Sequence, residues 1–218
     1  MGCTIGTSLT MARLEVQIMN LNSYNAHGAH MSVSLDLNKP YDPNVYVEPF
    51  GTHQPQVGEE VFIHPSAAVV GRVRLGDRVS VWPQVTLRGD EGDIIIGEDT
   101  NLQDGTTVHM TGGLSHSMIG ARVTVGHMCL LHGCIVEDDC LIGMGTILLD
   151  NCKIGAGSFV AAGSMITGGK EIPPGSFVMG RPGSLVVKPI TALRQQEMEY
   201  SWRHYVEVQR GYRARHRS

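Results

Sequence analysis

Three histidines sit in runs that otherwise read as buried β-structure. His109 lies in TTVHMTGG, and His127 and His132 lie in VTVGHMCLLHGC. A neutral imidazole offers one ring lone pair to a divalent metal. Three of them leave a tetrahedral ion with an open position, the hallmark of a catalytic rather than a structural zinc site. No single helix turn or strand brings positions so spaced to one point, so a larger repeating element must do it.

That element is a hexad repeat. From Val136 the chain reads VEDDCL, IGMGTI, LLDNCK, IGAGSF, VAAGSM, ITGGKE, IPPGSF and VMGRPG. The first position is always aliphatic (Val136, Ile142, Leu148, Ile154, Val160, Ile166, Ile172, Val178), and the fifth is mostly small. An earlier block from Val57 has the same period in its own register, and two short blocks begin at Ile96 and Ile119. One hexad makes one face of a triangular prism, and three make a coil. No coil buries its aliphatic edges alone, so coils must stack. The pattern predicts an all-β, left-handed parallel β-helix of about seven coils.

The histidines can be placed on that prism. His109 and His132 each hold the second position of a hexad, those beginning at Val108 and Leu131. The stretch between them is one coil and a little more, and the excess belongs to the break at TGGLSHS. The two rings should therefore lie on the same face in adjacent coils. Strands there are about 4.8 Å apart. Two nitrogens on one zinc lie roughly 3.4 Å apart, which a slight convergence of the rings supplies. His127 belongs to the preceding hexad and a neighbouring face, so it should not reach the same metal within its own chain. In a threefold trimer it can meet the His109/His132 face of the next subunit. The spacing suggests a metal shared between chains of a homotrimer.

The rest of the chain frames this prism. Residues 1–30 read as an appended or unstructured leader before a natural start at Met31, 31–56 as an extended N-terminal arm, and 57–186 as the β-helix. Residues 187–218 read as a C-terminal helix with a basic tail. Ile190, Leu193, Met198, Trp202, Tyr205 and Val206 follow helical spacing, which predicts a helix packed along the prism. The tail carries Arg210, Arg213, Arg215 and Arg217 and reads as a solvated helix end. Of the 218 residues 17% are charged, the net charge is −4, and there are 27 glycines. Nothing in this balance suggests nucleic acid or an anionic membrane as partner. No apolar run has the length of a membrane-spanning helix. The five cysteines, Cys3, Cys129, Cys134, Cys140 and Cys152, form no C-x-x-C pair and read as reduced core thiols of a cytoplasmic protein.

Three motifs, RGDEG at 88–92, NLQDGTTVH at 101–109 and VGHMCLLHG at 125–133, resemble those of the γ-class carbonic anhydrases and their hexapeptide-repeat relatives. The resemblance covers nearly all of residues 40–210. It implies that His109, His127 and His132 bind the metal, with the second histidine coming from a neighbouring subunit. The metal implied is zinc, or else iron(II) or cobalt. The reaction implied is reversible hydration of carbon dioxide to bicarbonate. Gln103 matches the glutamine that positions substrate or water, and Arg88 and Asp90 match a pair that bridges subunits. Asp104 is expected in the same polar network. Glu91 matches a proton-transfer glutamate, and Tyr205 a tyrosine near the metal. Each has an ordinary alternative: a surface amide, a surface ion pair, a solvated carboxylate, a packed ring. The loop MTGGLSHSM between the first two histidines lacks the acidic residues of the best-known active members, and Glu207 stands where those members have asparagine. The chain is thus similar to the short-loop subgroup. Two other functions fit a hexapeptide prism: an acyl-CoA transferase or thioesterase, and a non-catalytic scaffold that keeps its metal for stability.

Overall fold

The computed structural model describes residues 44–216. The expectations for residues 1–30, for Cys3 and for Arg217 fall outside that range. The described chain is a parallel β-solenoid of about seven coils followed by one helix, Ala192–His216.

Each coil contributes one short strand to each of three faces, because a hexad supplies an inward aliphatic residue and then a turn. The inward residues form three vertical ladders. One runs Val69, Leu87, Val108, Leu131, Leu148, Ile166. A second runs Leu75, Ile96, Ile119, Val136, Ile154, Ile172. The third runs Ile63, Val81, Leu102, Val125, Ile142, Val160, Val178. Every rung is 3% exposed or less. The small fifth positions Cys140, Thr146, Cys152, Ser158, Ser164 and Ser176 are buried too. Each rung packs on the rungs above and below, so burial spreads along the stack rather than within one coil.

A regular coil is three hexads long, as from Val69 to Leu87 and from Ile154 to Ile172. Three consecutive coils break that count at the same corner. Leu87 pairs with Val108, three positions late, because the strand Thr86–Ile96 bulges at Asp90–Asp93. Val108 pairs with Leu131, five positions late, because Thr111–Ser115 loop out. Leu131 pairs with Leu148, one position early, because the turn after His132 is short. The ladder absorbs these changes without losing register, so the irregular residues are displaced outward.

Some details differ from the boundaries expected from sequence. Tyr46–Glu48, within the expected arm, pairs in parallel with Ala68–Val70 and extends the first ladder. Val186–Pro189 pairs antiparallel with Ser176–Met179 and closes the last coil, so the helix begins at Ala192 rather than at 187. Thr191 caps it: its side-chain oxygen accepts from the Arg194 amide at 3.4 Å. The helix lies on the third face, where Trp82 packs against Tyr205 and Tyr212 at centroid distances of 5.4 and 5.1 Å. Its buried stripe is Met198 and Gln209, flanked by half-buried Trp202 and Tyr205. Leu193, expected in that stripe, is 66% exposed; in the same turn Arg194, four residues before Met198, lies on the face, its guanidinium over the Phe159 and Phe177 rings at 5.0 and 5.8 Å. Gln209 takes its place further along and donates its amide to the Arg78 carbonyl at 2.7 Å.

Candidate metal centre

The irregular corner places the histidines. His109 and His132 are directly opposed in adjacent coils, as their hexad positions require. Nδ1 of His109 faces Nε2 of His132 at 3.3 Å. This is about the separation of two imidazole nitrogens that share one tetrahedral zinc.

The outer nitrogens are each held by a carboxylate. Nε2 of His109 donates to Asp90 Oδ1 at 3.0 Å, and Asp90 also accepts from Arg88. Burial pushes the Asp90 carboxyl up, but the hydrogen bonds from Arg88 and then His109 outweigh it and hold it below the usual value. Nδ1 of His132 donates to both oxygens of Asp150 at 3.2 Å. Burial raises Asp150 as well, and the hydroxyls of Ser115 and Thr111, with His132, bring it below the usual value. Both carboxylates are therefore ionised near neutral pH and can only accept. The outer nitrogens must carry the protons, and neutral rings then turn two lone pairs toward each other. That arrangement is repulsive unless a proton or a metal ion lies between them. Carboxylate support of the outer nitrogen is also how protein sites orient a ligating histidine.

The broken repeats explain how these carboxylates arrive. The bulge in Thr86–Ile96 carries Asp90 outward to His109. The loop after His109 brings Thr111 and Ser115 over Asp150, with Thr111 Oγ1 at 3.1 Å. Gly133, at φ +62°, turns the short corner; a Cβ there would meet Ser115 Oγ at 2.1 Å and Asp150 Oδ1 at 2.2 Å. Only a glycine allows both the left-handed turn and that packing. Ser117, fully buried, ties the two coils together by donating to the His109 carbonyl at 2.6 Å and accepting from the Gly133 amide at 3.0 Å.

His127 lies elsewhere on the chain. It follows the third-face strand Thr124–Val125 and is 42% exposed, against 15% for His109 and 27% for His132. Its Nδ1 sits 3.0 Å from Asp104 Oδ2, so it too has a carboxylate on one nitrogen and leaves the other free. No three histidine, cysteine or acidic side chains among the described residues converge as one metal site within the chain. The chain instead carries a histidine pair on one face and a single histidine at a neighbouring corner.

The remaining expected residues divide between them. Within the chain Asp104 lies beside His127 rather than beside Arg88 and Asp90, because it sits in the turn after the third-face strand Asn101–Leu102. Gln103, beside it, is buried and donates to Asn101 Oδ1 at 3.2 Å; Asn101 in turn donates to Thr124, which donates to Ser201 of the helix. Tyr205 projects from the helix on this side. Burial and then the nearby Asp104 charge raise its hydroxyl above the usual value, so it stays protonated near neutral pH. Glu91 is exposed beside Asp90, on the side of the histidine pair, its carboxylate lying over Gly112, where a Cβ would meet Oε2 at 2.0 Å. Arg88 and Asp90 pair within one chain. Sequence reasoning missed Asp150, Thr111 and Ser115. The available signal was Gly133, a glycine directly after a candidate ligand in a shortened corner.

Comparison with known proteins agrees with the fold. The profile described as bacterial transferase hexapeptide (six repeats) matches residues 133–168. A carbonic anhydrase of Geobacillus kaustophilus is 39% identical over 168 residues, covering 77% of this chain and 91% of that protein. The chain belongs to the γ-carbonic anhydrase-like family of hexapeptide-repeat proteins. Another member of this γ-carbonic anhydrase-like group, the mitochondrial gamma carbonic anhydrase 2 of Arabidopsis thaliana, is 45% identical over 97 residues. That stretch takes in 42% of this chain but only 35% of the plant protein. Among solved structures, a hexapeptide transferase family protein from Anaplasma phagocytophilum superposes with a TM-score of 0.72 at 35% identity, covering 77% of this chain and 98% of that one.

Proposed function

We propose that three copies of this chain assemble so that His127 of one subunit completes the His109/His132 pair of the next, holding zinc, or iron(II) or cobalt in its place, and that the centre hydrates carbon dioxide to bicarbonate. One observation carries this reading. Each of the three histidines has a carboxylate on one ring nitrogen, and the other nitrogen is turned toward a second histidine or left open. The facing lone pairs of His109 and His132, 3.3 Å apart, fit a divalent cation. Two such donors are too few for a catalytic centre, and in this reading the third, apart from them in its own chain, serves the pair of a neighbouring subunit. Both half-sites are rimmed by exposed apolar side chains, Met128 (71%) beside His127 and Leu114 (58%) in the loop near Asp150, as expected of a surface covered on assembly.

When bound, the metal supplies a hydroxide nucleophile near neutral pH. The chain's own residues do the rest. Asp90, Asp150 and Asp104 fix which nitrogen of each ring carries the proton. Tyr205, kept protonated, retains a hydroxyl proton to donate, and Gln103 offers an amide that does not titrate. Glu91, exposed at the rim, is placed to pass a proton to solvent.

Three measurements test the reading on anaerobically purified protein. Sedimentation should give about three times the 23.6 kDa chain mass. His127→Ala and His109→Ala chains, each deficient in metal, should recover part of it when refolded together. Stopped-flow hydration should exceed background and vanish in His109→Ala. Failure of the mixed chains to recover metal would refute the shared site. Full metal with no hydration for zinc, cobalt and iron(II) would refute the hydratase and leave a metal-stabilised trimer.

A further inference from the structure

A second concave site lies behind the His109 corner. The bulge in Thr86–Ile96 and the arm before the first coil enclose a cavity of about 480 Å³, lined by Arg72, Arg74, His53, Gln54, Gln56 and Asp93. Arg72 and Arg74 alternate along the strand Ala68–Leu75, so both point outward into it. Arg72 lies where the register shifts between Gly71 and Val73, opposite the extra residues Asp90–Asp93. Its Nη2 donates to the Asp90 carbonyl at 3.0 Å. Its Nε is buried and has no acceptor among the described residues. Arg74 makes no ion pair among the described residues. Two guanidinium groups thus face one carboxylate, Asp93, whose backbone amide is held by His116 Nδ1 at 3.0 Å.

Two guanidinium groups lining one concavity with a single carboxylate leave positive charge uncompensated there, and the planar fork of each, through its outer nitrogens, is made for an oxyanion. The geometry points to this cavity as a binding site for a small oxyanion of the phosphate or carboxylate kind, received by Arg72 and Arg74 with His53, Gln54 and Gln56 at the rim. It is distinct from the histidine half-sites, and its existence does not depend on the hydratase reading.

Calorimetric titration of the full-length protein tests it, with inorganic phosphate and with malonate, at ionic strength held constant with chloride. The expected result is saturable binding of one anion per chain by at least one of the two probes. Which probe binds tells phosphate-type from carboxylate-type recognition. Arg74→Gln, on the cavity side and away from Asp90, should weaken binding at least ten-fold, as should Arg72→Gln. Binding should survive in His132→Ala, which removes the metal half-site. No saturable binding of either probe overturns the proposal. So does binding that persists in both arginine variants, or that disappears in His132→Ala while surviving in Arg74→Gln.

Discussion

Under the proposed metal site, truncation of Asp150 to alanine separates the support of the ligand His132 from the ligand itself. In the native chain Asp150 accepts from His132 Nδ1 at 3.2 Å, from Ser115, and from Thr111 Oγ1 at 3.1 Å. Asp150→Ala removes the group that holds the proton on Nδ1. His132 is then free to place its proton on Nε2, the nitrogen facing His109, and to rotate. Loss of such an outer carboxylate costs about ten- to hundred-fold in metal affinity, or roughly 1.4–2.8 kcal/mol. The same change leaves the buried Ser115 hydroxyl without its acceptor. The Asp150 side chain is 25% exposed, so water can replace part of the loss. The stability cost in metal-free protein should therefore fall at the low end for an orphaned polar group, about 1 kcal/mol. Competition with a chromophoric chelator gives the zinc affinity, and urea denaturation of the chelated protein gives the stability. The reasoning predicts a larger loss in affinity than in stability. Zinc affinity within two-fold of wild type in Asp150→Ala, while His132→Ala abolishes binding, would refute the role assigned to Asp150.

Three further outcomes follow from the same structure. Gly133→Ala should cost about 1–2 kcal/mol for the left-handed backbone alone. It should also push Asp150 and Ser115 off His132, so that thermal melting and metal content fall together; a variant that melts lower yet keeps full metal would contradict the packing at that corner. Asp90 and Asp150 have carboxyls held below their ordinary value, so their contribution to stability is complete above about pH 4 and is lost as pH falls through the lowered folded values. In urea titrations of chelated protein, the gap between wild type and Asp150→Ala should hold from pH 7 to about 5 and shrink below about 4; a gap that widens in acid would show the sign to be wrong. Burial pushes the Cys129 thiol up to about 11 and the Cys140 thiol up to about 12, and Cys134 is raised by its hydrogen bond with Cys152 and by burial; Cys152 is lowered by that same hydrogen bond, so its complete burial alone shields it. In a Cys3→Ser background the four core thiols should resist a disulfide reagent at pH 8 and react only in denaturant; a fast-reacting thiol in native protein would contradict this.

Much of the fold was legible in the sequence because a β-helix is nearly one-dimensional. Each hexad needs only its aliphatic first residue and small fifth residue, and the ladders Val69–Ile166, Leu75–Ile172 and Ile63–Val178 are those residues stacked. The opposition of His109 and His132 was legible for the same reason: the stretch between them is one coil plus a loop, and the inward ladder restores register on both sides of it. The separation of His127 from that pair also followed from hexad position alone. Where the pattern was helical it served less well. Leu193 was expected in the buried stripe but points away from the face, where Arg194 lies over Phe159 and Phe177, and Gln209, a polar residue, fills the stripe further along. Helical period gives a face, but not which polar side chains the partner surface will accept there.

The sequence by itself thus determined the prism, its register and the meeting of two imidazoles, since all three depend on a local repeat that counts positions. The tertiary structure decided which carboxylates hold those imidazoles. Asp90 reaches His109 because one coil carries a bulge. Asp150 reaches His132 because another coil is shortened and turns on Gly133. Such insertions and deletions fall outside the repeat, and where their side chains point is set by packing between coils rather than by the repeat itself.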